Sequence, residues 1–210
     1  MATQQRRNVL KSKKTLWITL GSIGAVVVLL VISLIGSYNS MASSKNDVEN
    51  AWSQVEVSYQ RRADLIPNLV KVAQQASVRE QDILTAALNA RSKALSANVA
   101  PGDANALAQS QAPVDSALSR LLALNESYPD LKSNRNWENL QSQLEGTENR
   151  VAVSRSDYND AVRGYNDRIV RFPGNALAGM FGFEKVGYFA AQQGAQDAPS
   201  IMFDNPSATK

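Results

Sequence analysis

The chain of 210 residues contains no cysteine and no histidine. Without cysteine there is no disulfide framework, no redox CxxC pair and no thiol nucleophile. Without histidine there is no imidazole set for a zinc hydrolase, no Ser-His-Asp triad and no Glu-x-x-His ligation of the di-iron bundle kind. Acidic charge is missing from the first 46 residues, where Arg6, Arg7, Lys11, Lys13 and Lys14 form a basic head over residues 1–15. From Lys45 onward 17 basic residues stand against 19 acidic ones, so the positive excess belongs to the tip. A nucleic-acid interface needs a basic face on the folded part, and the totals leave none.

Between Lys14 and Lys45 there is no charge at all, and Leu16 to Gly36 forms a 21-residue apolar run. As a helix it spans about 30 Å, the thickness of a bilayer core. Trp17 and Tyr38 mark its ends, where amphipathic aromatics favour the interface. Ser40-Met41-Ala42 would suit a signal-peptide cleavage site, but signal cores run only about 7–15 residues. The reading is therefore a retained single-pass anchor over residues 16–37, with the lipid bilayer as first partner. Five basic residues before the span put the N-terminus in the cytoplasm and the chain beyond Ser40 outside, in a periplasm or at the cell surface. Gly21-x-x-x-Ala25 and Ser33-x-x-x-Ser37 are small-residue pairs that let membrane helices approach closely.

The rest reads as helix throughout. Val48, Trp52, Val55 and Tyr59, and then Ile66, Leu69 and Ala73, step by three and four, the period of one buried helix face. No turn signal separates them from the apolar run, so anchor and first bundle helix read as one rod. Pro67 removes a backbone donor and predicts a kink near Ala63–Asp64. A second helix begins near Arg79 and runs toward Ala97. Residues 98–113, with Pro and Gly at their ends, read as a flexible connection. A third helix spans about 114–127 and stops at Tyr128-Pro129. The fourth and longest carries Trp137, Leu140, Leu144, Val151, Tyr158, Val162, Tyr165, Ile169 and Phe172 on one face, ending at Pro173-Gly174. The expected fold is all-α: a transmembrane helix continuing into a long antiparallel bundle of about four helices over residues 38–189.

Beyond Pro173 four glycines alternate with Phe181, Phe183, Tyr188 and Phe189. Two readings stand: a strap packed over open bundle ends, or a docking segment for another subunit or the bilayer surface, where such side chains concentrate. Residues 190–210 read as a loose tail with one apolar triplet, Ile201-Met202-Phe203.

Four ordered stretches resemble the bacterial LemA family. They are Ala51-Trp52-Ser53-Gln54-Val55 with Gln60 to Val70, Tyr128-Pro129-Asp130-Leu131-Lys132, Trp137-Glu138-Asn139-Leu140-Gln141 running into Leu144 to Val151, and Arg155, Tyr158-Asn159, Tyr165-Asn166 and Phe172-Pro173. The resemblance implies a membrane-tethered helical bundle, held at the cytoplasmic (inner) membrane of a bacterium. It implies no particular chemistry.

The charges of the fourth helix include Asp160–Arg163 and Asp167–Arg171 at ion-pair spacing, which reads as a solvated face. Glu145 and Glu148 are the carboxylates an acid–base enzyme would need, but no nucleophile, cofactor site or metal-ligand set accompanies them. Arg61, Arg62 and Asp64 lie about 36 Å along a continuous helix from the membrane edge, beyond the reach of headgroups. They are expected to set helix register by pairing with acids such as Glu145 or Glu148, or else to face a partner. Together these features point to a non-enzymatic, self-associating scaffold or adaptor, with contacts to other membrane proteins in reach. The alternative is an accessory of a membrane sensor.

Overall fold

Helix α1 (Ala2–Gln75) runs 74 residues without interruption, a rod of about 110 Å. In this computed structural model residues 2–190 are described, with side chains from Trp17 onward except Ile18. The side chains of the basic head and residues 191–210 of the tail lie outside the described residues. Ile23, Leu29, Ile32 and Ile35 are exposed, partial cover begins at Ser37, and Met41 is the first side chain fully buried. Beyond it the apolar face read from the sequence packs inward, from Val48 and Trp52 to Ala73. The C-terminus of α1 closes with Ser77 in the left-handed region (φ 59°). The Val78 N–H donates back to the Ala73 carbonyl at 3.2 Å, a Schellman-type stop sealed by the buried Val78 side chain.

Pro67 lies inside α1, and the helix is unbroken there. The carbonyl it deprives of a partner, four residues earlier, is that of Ala63. Arg91 Nε donates to that oxygen at 3.1 Å, while Arg91 Nη2 pairs with Asp64 Oδ1 at 3.0 Å. A side chain from the next helix thus replaces the missing backbone donor.

Three more long helices follow: α2 (Gln81–Ser96), α3 (Ala104–Ser127) and α5 (Arg135–Val170). Two short ones, α4 (Pro129–Lys132) and α6 (Gly174–Phe181), complete the six among the described residues, and no strand occurs there. The expected connection over residues 98–113 is corrected: its second half is the first part of α3. Asp103 caps the helix by accepting from the Ala106 N–H at 2.9 Å. Ala104, Leu107 and Gln111 then extend the buried stripe of Val114 and Leu118. Ala and Gln are strong helix formers, and Pro113 is carried inside the helix.

α5 runs antiparallel to α1. Ser40 meets Arg168, Ser58 meets Ser154, and Arg62 meets Glu148. Around this pair are two apolar clusters. The distal one joins Ile66, Leu69, Leu84, Leu121 and Trp137, and the proximal one joins Met41, Trp52, Tyr158, Tyr165 and Phe189. α2 packs on α1 and α3, whereas α3 and α5 leave an open groove between them.

Past α5 the chain turns at Arg171, and Phe172 stands 84% exposed instead of continuing the buried face. Pro173 precedes α6, and Gly174 lies so close to the Arg168 carbonyl that a Cβ there would overlap it. Residues 183–190 then return along α5. Asn166 brackets Val186, donating to its carbonyl at 2.9 Å and accepting from its N–H at 3.0 Å. Asn159 does the same for Phe189, at 3.1 and 2.9 Å. Seven residues apart on one helix face, the two amides serve as a substitute strand edge. The packed strap accounts for Phe189, which is buried, while Phe181 and Tyr188 remain exposed and Phe183 half-buried.

Candidate functional site

The groove between α3 and α5 has a volume of about 680 Å³. Its floor is α1, contributing Tyr59 and Arg62. Ala108, Ala112 and Leu118 come from α3, Leu144 and Val151 from α5, and Ala190 closes the end nearer the strap. Polar groups edge it, among them Gln109, Asp115, Glu145 and Glu148.

Arg62 is the one charged side chain buried among the described residues, at 3% exposure. It sits at the seam where the two apolar clusters meet. Its Nη1 lies 2.7 Å from Asp115 Oδ1 and 3.0 and 3.2 Å from the two oxygens of Glu148. Its guanidinium carbon is 5.2 Å from the Tyr59 ring centroid. Nε and Nη2 are buried without a protein partner, as is Gln111 Oε1. Both carboxylates are half-exposed, so their outer faces look into the groove. Taking a guanidinium out of water costs several kcal/mol unless charge and hydrogen bonds compensate; here two acids from two helices share that task. Burial pushes the Tyr59 hydroxyl above the usual phenol range, with Arg155 and Arg62 opposing, so it stays a neutral phenol at the floor. At the strap end Arg155 Nη2 donates to the Ala190 carbonyl at 2.9 Å and its guanidinium lies 5.0 Å from the Phe189 ring.

Of the residues expected to fix register, Arg62 and Glu148 do meet. Asp64 does not face α5; its partner is Arg91 of α2. Glu145 lines the groove without contacting Arg62 within ion-pair distance. Arg61 is exposed on the opposite flank, beside Asn149 and Asp157. The Asp160–Arg163 and Asp167–Arg171 pairs form at 3.0 and 3.1 Å on the solvated face. Asp115 was not legible in sequence. It reaches Arg62 across two helices, and no local spacing encodes such a contact. Chemically the groove offers a floor of one phenol and one buried guanidinium, aliphatic walls, and a rim of carboxylates, amides and the Ser119 hydroxyl. Among the described residues no three acidic side chains converge as a metal site.

One helix among the described residues, α1, is long and apolar enough to cross a membrane. Magnetosome protein MamQ 2 of Paramagnetospirillum magneticum is 29% identical to this chain, the match covering 83% of this chain and 72% of that protein. Magnetosome protein MamQ of Magnetospirillum gryphiswaldense is 27% identical over the same shares. Protein LemA of Metamycoplasma hominis is 22% identical, over 76% of this chain and 71% of its own. The uncovered apolar run and these relatives together make this a membrane-associated helical protein. The LemA family model matches residues 51–203, well over half of the chain, and the chain belongs to the LemA family.

Proposed function

We propose that the protein is a non-enzymatic, self-associating scaffold or adaptor of the bacterial inner membrane, with its N-terminus in the cytoplasm and its bundle outside. The observation that carries this reading is the unbroken α1. The same helix that provides the apolar run becomes the floor of the groove without a joint. Arg62 lies 26 residues past Gly36, which sets the groove at about 39 Å from the end of the run along the rod. A site at fixed height on a stalk suits the capture of a protein segment. Gly21, which opens the first small-residue pair, has open space where a Cβ would stand, as a helix–helix contact in the bilayer requires.

Two differently tagged full-length copies, co-expressed and extracted in mild detergent, test self-association. They co-purify on this reading, and Gly21→Leu with Ser33→Leu weakens the pairing. Absence of co-purification at native expression would refute it. The second reading, an accessory of a membrane sensor, is favoured by the same continuity, since α1 joins the cytoplasmic end to the groove. Deleting residues 1–13 while retaining insertion silences a sensor and leaves a scaffold working.

A further inference from the structure

The foot of the bundle carries an apolar surface that the fold leaves uncovered. α6 buries Leu177 and Ala178 against the proximal cluster and turns Met180 (77% exposed) and Phe181 (56%) outward. Phe172, at 84%, is exposed in the turn that leads into α6. Elsewhere on the bundle Val57 and Val153 are exposed along a shallow polar pocket between α1 and α5, and Leu95 is exposed on α2. At the foot two large ones follow in succession on α6.

Their height is set by Tyr38. The Phe181 and Phe183 rings meet the Tyr38 ring edge-on, with centroids 5.0 and 5.6 Å away. Tyr38 lies two residues past Gly36, only about 3 Å further along the axis. Arg168 Nε donates to Ser40 Oγ at 3.1 Å, and Arg171 is exposed at the same end. Apolar rings, a thioether and two guanidinium groups therefore share the level at which the uncovered run of α1 stops. That is the composition of the headgroup boundary, where aromatic side chains settle and arginine stems reach phosphates.

We propose that α6, with Phe172, Met180 and Phe181, is a second membrane contact: a short amphipathic foot seated in the headgroup region beside the anchor. It rests on the reading that the apolar run of α1 spans the bilayer. A second copy of the chain is the less favoured occupant, because tethering by α1 holds this surface against lipid at high effective concentration in every protomer. Basic and acidic residues are mixed here, with Asp167 and Glu184 beside Arg168 and Arg171. The attraction is therefore apolar and does not depend on anionic lipid.

The chain has no native cysteine, so single labels are unambiguous. Nitroxide is attached to Met180→Cys, Phe172→Cys, Ile32→Cys and Val153→Cys in the full-length protein, reconstituted in phosphatidylcholine vesicles. Collision rates with oxygen and with a water-soluble nickel chelate then report depth. The labels at 180 and 172 collide with oxygen, relative to nickel, several-fold more often than the label at 153, and less than the label at 32. All four side chains are exposed, and circular dichroism checks that each variant folds. A water-like ratio at 180 and 172 with a deep label at 32 overturns the foot while the anchor stands. Shielding of 180 and 172 from both probes assigns the surface to a protein partner and also overturns it. A water-like ratio at 32 as well means that the anchor reading itself has failed.

Discussion

The buried arginine makes an asymmetric prediction. Arg62 is 4% exposed at its side chain, whereas Asp115 and Glu148 are 50% and 48% exposed. Removing the arginine leaves two carboxylates that water can reach. Removing both carboxylates leaves a guanidinium sealed at the seam between the two apolar clusters. Breaking a buried pair from the side that strands a charge costs about 3–5 kcal/mol. The half-exposed acids discount the Coulomb part, so about 2–3 kcal/mol is expected for Asp115→Asn with Glu148→Gln. Each single change leaves the other acid in contact and costs about 1 kcal/mol or less. Arg62→Met fills much of the same volume without a charge and stays within about 1 kcal/mol of the native protein. In a chain of this size, 2–3 kcal/mol lowers Tm by about 5–10 °C. Melting of the detergent-solubilised full-length variants, followed by circular dichroism at one scan rate, reads the difference. If Arg62→Met melts as low as the double carboxylate variant, the seam is held by the pair itself, and the stranded-charge reasoning is refuted.

Three further outcomes follow from named contacts. Tyr158 donates towards the Gly102 and Gly187 carbonyls, and burial, helped by Asp103, pushes its hydroxyl up to about 12. A raised folded pKa means that stability is fully present below the unfolded value of about 10 and is lost as pH rises from there towards 12. Melting across that window falls steeply in the native protein and less in Tyr158→Phe; equal slopes would count against it. Arg91→Ala orphans the Ala63 carbonyl and costs about 1–3 kcal/mol, but much less in a Pro67→Ala background, where the backbone supplies its own donor. Additive effects in that double-mutant cycle would contradict the replacement of the missing donor by Arg91. Asn159→Ala and Asn166→Ala free the strap from α5, and hydrogen exchange at the Val186 and Phe189 amides quickens about tenfold, equivalent to about 1.4 kcal/mol. Unchanged exchange would show that ring packing alone holds the strap.

The helices were legible because their apolar spacing was regular. Trp137 to Ile169 announces α5, and the charge-free run announces the uncovered part of α1. What failed, failed at punctuation. Pro113 reads locally as a boundary, yet the helix passes through it, because Asp103 caps earlier and Leu107 and Gln111 continue the buried stripe. At Pro67 the helix runs on unbroken, and Arg91 arrives from 28 residues away in sequence to serve the freed carbonyl. The site was half legible. Arg62 and Glu148 stood out as opposite charges on long helices, but Asp115, Gln111 and the openness of the groove depend on where α3 comes to lie. Asn159 and Asn166 carry the heptad spacing of one face, and that was the only local signal of the strap they hold.

The most direct measurement is the topology of single-cysteine variants Thr3→Cys and Val153→Cys in spheroplasts, with a membrane-impermeant maleimide. A bundle carried outside on α1 predicts labelling at 153 in intact spheroplasts and at 3 only after lysis. Labelling of both sites before lysis, or of neither, would contradict a single crossing by α1.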